Sequence, residues 1–248
     1  MTRPLRVISL VPSATESLLS WGVEPVACTR FCEQPHLQTV GGTKDPDLDA
    51  IVELGPDLVV MCEEENLKDH HDQLVGRGVA TFTLRIDGLA DVAPHLAAMA
   101  NAVGVEPDEA EIENLAVVGD DAEPWLKAFV PIWRKPWMTL HGGTYGSSLL
   151  AHLGVINVFA DHPTRYPEVT EEEIRARAPD MVLAPTEPYP FAPRHLAELT
   201  TLAPAHLVEG QDLFWWGTRT PAAITRLRAT LAPLRATLAP LRSAPRSR

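Results

Sequence analysis

Asp47-Leu-Asp-Ala-Ile-Val-Glu-Leu-Gly-Pro-Asp-Leu-Val-Val60 returns later in the chain as Thr170-Glu-Glu-Glu-Ile-Arg-Ala-Arg-Ala-Pro-Asp-Met-Val-Leu183. Ile51 and Ile174, Pro56 and Pro179, and Asp57 and Asp180 all match 123 positions apart. Each copy reads as a helix, a Pro-Asp turn and a short apolar strand. One Pro-Asp ahead of an apolar run is common in α/β proteins, but two copies in register predict two similar lobes. The expected fold class is therefore α/β, with mostly parallel sheets in each lobe, a helical connector and a ligand cleft between the lobes. The expected boundaries are 1–105 for the first lobe, 106–131 for the connector and 132–248 for the second lobe with a basic C-terminal helix and tail.

A chain of 248 residues suffices for two such lobes, and 45% apolar with 22% charged residues is ordinary for a globular protein. The net charge of −12 argues against nucleic acid as a partner, since phosphate binding needs clustered Lys and Arg. Charge is uneven: no acid follows Asp212, while Arg219, Arg226, Arg228, Arg235, Arg242, Arg246 and Arg248 do. Cys28, Cys32 and Cys62 lack a CxxC pair and predict reduced, buried thiols rather than a disulfide framework. No apolar run approaches the ~20 residues that span a bilayer, so no membrane insertion is expected. Arg6-Val-Ile-Ser-Leu-Val11 is too short for a signal-peptide core, and the expected location is cytoplasmic, or periplasmic or surface-anchored if a leader precedes the given start.

Along the first lobe, residues 6–11 read as a strand, with Ser13-Ala-Thr-Glu16 as a capping box for a helix ending before Gly22. Val26–Arg30 and Val79–Leu84 read as strands and Asn66–Val75 as a helix. Residues 88–130 hold no convincing strand. Helices are expected at 89–103 and 108–130, parted by Gly104 and Pro107, the second interrupted at Gly119-Asp-Asp and Pro124. The second lobe restarts with a strand at Trp137–Leu140, a His141-Gly-Gly turn and a helix at Thr144–Leu153. Thr170-Glu-Glu-Glu173 is a second capping box, ahead of a strand at Asp180–Ala184. Then come a Pro185–Pro193 loop, a helix near 194–202, a strand at His206–Val208 and a loop at Asp212–Gly217. Leu227-Arg-Ala-Thr-Leu-Ala-Pro233 repeats directly as residues 234–240, and its prolines predict a terminal helix followed by a duplicated, mobile tail.

Ligands of such sheets bind outside the carboxyl ends of the strands. That places Pro12–Thr15, Phe31–Pro35, Cys62–Asn66 and His141–Tyr145 at the cleft, joined by loops 185–191 and 212–217. Helices opening at Ser13 and Thr144 either offer N–H groups to a polar ligand or are simply capped by those residues. Phe31, Tyr145, Tyr166, Tyr189, Phe191, Phe214, Trp215 and Trp216 fall on predicted loops and suit a large flat ligand, with at least one of Trp215 and Trp216 expected in the core. Lys44, Glu64, Asn66 and Asp212 are candidate polar contacts. His141 is the candidate metal ligand among nine histidines, none of which stands in an HExxH or zinc spacing. Gly146-Ser-Ser-Leu-Leu is not a nucleophile elbow, and neither GxGxxG nor GxxxxGK is present. No reaction is named by these residues.

Arg6-Val-Ile-Ser-Leu-Val-Pro-Ser-Ala-Thr-Glu16, Gly41-Gly-Thr-Lys-Asp-Pro-Asp-Leu48, Pro56-Asp-Leu-Val-Val60 and Arg165-Tyr-Pro-Glu-Val-Thr170 together resemble the class III solute-binding proteins, or helical-backbone metal receptors. These are the cobalamin, ferric-siderophore and haem receptors of ABC importers. The resemblance runs nearly end to end and is nearest to cobalamin-binding members, including short forms without a signal sequence. It implies a small-molecule ligand held between two lobes, no covalent cofactor and no catalysis. By position it puts Phe31 and Tyr166 at pocket aromatics and Asp212 with Phe214–Trp216 in the last ligand loop. It also puts Asp49 and Glu172 at the acids that dock an ABC permease, a partner available only to an exported chain. The resulting expectation is a binding protein for a corrinoid or another metal chelate. Two alternatives are a metal-binding protein or enzyme using His141 with Glu64 or Glu65, and a protein-interaction module anchored by Trp215 and Trp216.

Overall fold

A computed structural model describes residues 3–106, 108–116 and 123–243, with side chains through 237. In chain order the elements begin β1 (Val7–Ser9), α1 (Pro12–Ser20), β2 (Ala27–Cys28), β3 (Gln38–Thr39), α2 (Leu48–Glu53), β4 (Leu58–Cys62), α3 (Lys68–Gly76) and β5 (Thr81–Leu84). Next come α4 (Leu89–Ala102), α5 (Glu109–Leu115), β6 (Leu126–Phe129), β7 (Trp137–Met138), α6 (Tyr145–His152), β8 (Val155–Asn157) and β9 (Glu168–Val169). The chain ends with α7 (Glu171–Ala176), β10 (Met181–Pro185), α8 (Leu196–Leu199), β11 (Ala205–Val208), α9 (Gly210–Phe214) and α10 (Thr220–Ser243). The described residues form two compact units. One runs through Ile86, resumes over 90–116 and takes in Trp216–Arg219; the other holds Asp87–Leu89, 123–215 and Thr220 onward.

The first unit carries a five-stranded parallel sheet in the order β3-β2-β1-β4-β5, with Ile8 beside Val59 and Ala27. Strands covered on both faces read as unbroken apolar runs, which is why Leu58–Cys62 shows no alternation. Its core gathers Ile8, Leu10, Ile51, Val59, Met61 and Leu74. The second unit has a four-stranded parallel sheet, β11-β10-β6-β8, and an antiparallel pair, β7-β9. Phe129, Phe159, Ile174, Val182, Phe191 and Leu199 make its core.

The repeated phrase becomes the same structure twice. α2 and β4 recur as α7 and β10 with every boundary displaced by 123 residues. Ile51 and Ile174 are both fully buried. Asp57 accepts a 2.8 Å hydrogen bond from the Arg6 backbone N–H, and Asp180 accepts one of 2.9 Å from that of Lys127. Each aspartate thereby fixes the start of the neighbouring strand to its own. Between helix and strand the chain turns through a left-handed residue in both copies, Gly55 at φ 56° and Ala178 at φ 47°.

Several expectations are corrected. Among the described residues of the stretch read as helical over 108–130, Glu109–Leu115 is helix, and Leu126–Phe129 is a central strand of the second sheet. It escaped notice because a four-residue strand flanked by Pro124 and Pro131 has no readable period. Pro107 and Gly119-Asp-Asp lie outside the described residues. The first capping box does not form: Pro12 takes the opening helical position, where its missing N–H costs nothing, so Val11 is the N-cap and Ser13 is interior. The second box, Thr170 with Glu173, does form. Residues 210–214 are a helical turn rather than a loop, opened by Glu209, whose carboxylate accepts from the Gln211 N–H. The direct repeat does not leave the helix; α10 continues through Pro233 and Pro240. Buried Leu227 and Leu231, one turn apart, hold the segment to its unit and offset the local cost at Pro233. No helix among the described residues is long and apolar enough to cross a membrane.

Candidate functional site

In the first sheet β1 passes the chain to β2 on one side, while β4 passes it to β5 on the other. Connections leaving in opposite directions open a crevice at the carboxyl ends of β1 and β4, where ligands of such sheets bind. Pro12 and Ser13 stand there, but both are buried, and the Ser13 carbonyl accepts from the Ser17 hydroxyl at 2.9 Å. Asn66 spans the crevice. Its Oδ1 accepts from Cys62 N at 2.8 Å, and its Nδ2 donates to Leu10 O at 3.3 Å and Thr43 O at 3.0 Å. Both amide protons are used, so Asn66 ties the loops together instead of presenting its amide to a ligand, contrary to expectation. Lys44 reaches the same loops, donating to Glu64 O at 2.8 Å. Glu64 and Glu65 are half-buried beside it.

Phe31 behaves differently. It rides the single 3-10 turn Arg30–Cys32 after β2 and keeps 49% of its surface exposed, which is high for a phenyl ring. The Arg30 guanidinium lies 4.8 Å from the ring centre and is itself held by Asp45 at 2.9 and 3.0 Å. Beneath the turn the buried Cys32 sulfur sits 3.2 Å from the hydroxyls of Thr15 and Thr29. A hydrogen bond from Cys28, then those hydroxyls, hold the Cys32 thiol below its ordinary value against the opposing effect of burial, while the same contact and burial push Cys28 up. Cys62 is pushed up to about 12, chiefly by burial. A cavity of about 490 Å³ opens farther along the first sheet, lined by Glu63, Asn66, Leu67, Lys68, His71 and Asp72 among others. The predicted loop Cys62–Asn66 gives Cys62, Glu63 and Asn66 to its lining.

In the second sheet the outward connections diverge between β6, which leads to β8, and β10, which leads to β11. The predicted residues of this unit separate sharply. His141 is half-buried and engaged in its own turn: its backbone N–H donates to Arg165 O at 3.0 Å and its Nδ1 accepts from Gly143 N at 3.2 Å. No group of three or more His, Cys, Asp or Glu able to hold a metal exists among the described residues. The metal reading of His141, with Glu64 or Glu65, therefore loses its ligand set. Tyr145 is buried, its hydroxyl 3.1 Å from that of Thr220, and belongs to the core. Asp212 is buried in a bidentate pair with Arg226 at 2.8 and 2.6 Å, so its charge is already met within the chain. Trp216 is 4% exposed, as expected of one of the two tryptophans, and Trp215 is half-buried.

Phe214 lies half-buried against α6, where a side chain at Gly146 would come within 3.0 Å of its ring. Tyr166 is half-buried with the Arg165 guanidinium 5.9 Å from its ring centre. Tyr189 packs on Phe191 at 4.7 Å and His195 at 5.5 Å. The docking candidates are both exposed: Asp49 pairs with Arg77 at 2.5 Å, and Glu172 is in the first turn of α7. One ring was missed by sequence reading. Trp133, after β6, keeps 45% of its surface exposed. The signal that could have found it was the strand before it, itself unread.

Known proteins resemble this chain over most of its length. The family described as Periplasmic binding protein matches residues 7–203. A vitamin B12-binding protein of Salmonella choleraesuis is 28% identical over 193 residues, covering 72% of this chain and 71% of that protein. The crystal structure of the periplasmic vitamin B12 binding protein BtuF of Vibrio cholerae superposes with a TM-score of 0.74 at 20% identity, covering 92% of this chain and 96% of that one. A periplasmic heme binding protein from Pseudomonas aeruginosa gives 0.75 at 21%, covering 93% and 94%. At these identities the two structures speak for the fold: α/β with mostly parallel sheets.

Proposed function

This chain belongs to the periplasmic binding protein family, as its resemblance to the class III solute-binding proteins implied, and from that premise we propose that it is a non-enzymatic binding protein for a corrinoid or a comparable flat metal chelate such as haem. The observation that carries the proposal is Phe31. An apolar ring held half in water by a cation–π contact, at the carboxyl side of a doubly wound sheet, has the placement of a stacking surface. The relatives supply the chelate class, since those named are described as binding vitamin B12 or heme. In this reading Phe31 is the ligand contact of the first unit, where Pro12, Ser13, Lys44 and Asn66 shape the surrounding loops, and Tyr166, Phe214 and Trp215 are the candidate contacts of the second, each unit taken by itself. Asp49 and Glu172 are exposed acids that would serve an ABC permease. The cytoplasmic setting expected from the sequence draws no support from the solved relatives, which are described as periplasmic.

The test is direct titration of the purified protein with cyanocobalamin, haemin and a ferric siderophore, followed by visible absorbance and calorimetry. Binding of at least one of them at a Kd of about 10 μM or tighter is expected, with Phe31→Ala weakening it about fivefold to tenfold, the worth of one aromatic stack. Absence of any chelate binding below about 1 mM would remove the proposal.

A further inference from the structure

We infer that Trp133 is a ligand-contacting residue of the second unit: its indole is the flat platform against which one face of the bound chelate lies. The inference rests on the chelate-binding reading above and adds to it a residue and a mode of contact.

Three observations converge on Trp133. The first is topological. The connection after β6 begins at the point where the second sheet reverses direction, and Trp133 lies four residues beyond the end of β6. Tyr189 lies four residues beyond the end of β10, the other strand flanking that point. The two rings meet at 5.4 Å between centres and 82° between planes, so the crevice between β6 and β10 is topped by an aromatic pair.

The second is exposure. Trp133 remains 45% accessible while nearby Trp137, Tyr189 and Phe191 pack into or against the core of the unit. An edge-to-face partner covers at most one face of the indole, which leaves a face open to a flat ligand.

The third is rigidity. Ile132 N donates to Met138 O at 2.8 Å and Met138 N to Trp133 O at 3.1 Å, closing the segment into a tight backbone hairpin. The buried Thr139 hydroxyl donates to Val130 O at 2.7 Å and anchors its base. Arg134, beside the indole, is fixed to Glu198 at 2.6 Å. A ring presented on so constrained a loop needs little ordering when a ligand arrives, the condition under which a contact adds most to affinity.

The experiment compares wild type, Trp133→Ala and Trp133→Phe by calorimetric titration with haemin and cyanocobalamin, with thermal melts alongside. Trp133→Ala should weaken whichever chelate the wild type binds by about tenfold, and Trp133→Phe, which keeps a smaller flat face, by about twofold to threefold. Melting temperatures should stay close to wild type, because the lost ring is half in water already. Wild-type binding with an unchanged Trp133→Ala affinity overturns this inference and leaves the chelate reading intact. Failure of the wild type to bind haemin, cyanocobalamin or the ferric siderophore overturns both. If Trp133→Ala melts early, Trp133→Phe and Trp133→Leu decide the matter: equal affinities for these two overturn a role for the flat ring, and a deficit confined to leucine supports it.

Discussion

The two units share one segment and differ in another. The helix–turn–strand phrase is reproduced so closely that α2 and β4 map onto α7 and β10 at a constant displacement, with isoleucine, aspartate and left-handed residue in equivalent roles. The link from first strand to first long helix is not reproduced. Between β1 and α1 it is the pair Leu10-Val11, while between β6 and α6 it runs from 130 to 144 and contains a hairpin. The first crevice is closed by an amide, Asn66, after β4, and the second is topped by two rings, Trp133 in the longer link and Tyr189 after β10. What the two units share is packed in their cores, and what differs lies at the surface beyond the strand ends.

The largest effects expected from testing this comparison lie in the shared phrase. Ile51→Ala and Ile174→Ala each empty a fully buried site and should each cost about 3 kcal/mol in denaturant unfolding. Should one cost several-fold more than the other, the equivalence of the two copies would be structural in outline only. A smaller effect is expected at the turn. Gly55 has open space where a Cβ would go, so Gly55→Ala should lose about 1 kcal/mol through backbone conformation alone. Ala178→Gly relieves the same conformation in the second copy and should gain about 0.5 kcal/mol after the added unfolded-state entropy is subtracted. Opposite signs at matched positions would sharpen the comparison; two losses would break it.

The smallest effect concerns pH. The Asp57 carboxyl is held below its ordinary range, first by the Arg6 backbone N–H and then by Arg3. A depressed folded-state value means that its contribution is complete above the unfolded value of about 3.9 and disappears as pH falls through the folded one. Asp57→Asn should therefore flatten the fall of melting temperature between about pH 5 and pH 2.5. An unaltered acid limb would mean that the aspartate acts there as a neutral acceptor.

Much of the fold was legible because local chemistry and burial agree in it. The Pro-Asp phrase, the Thr170 capping box and the apolar strands β1, β4, β5 and β10 all announce themselves in short windows. What escaped depends on partners distant in sequence. Tyr145 is a core residue because its hydroxyl meets Thr220, 75 positions on, and Asp212 is spent because Arg226 faces it one helix later. A loop aromatic and a buried one look alike until their neighbours are known. Phe31 could be read because it lies within three residues of its strand. Trp133 could not, because Leu126–Phe129 has too few residues to display a strand's alternation.

The hairpin between Val130 and Thr139 closes through its own backbone bonds and is fastened to its unit by Thr139 at its base, by the pairing of β7 with β9 and by Trp137 packed against Phe129 and Phe191. Trp137 is packed against the core while Trp133, four residues earlier on the same hairpin, stays half in water, so a change at Trp133 alters the outer surface and leaves Ile174, Asp180 and their strand undisturbed.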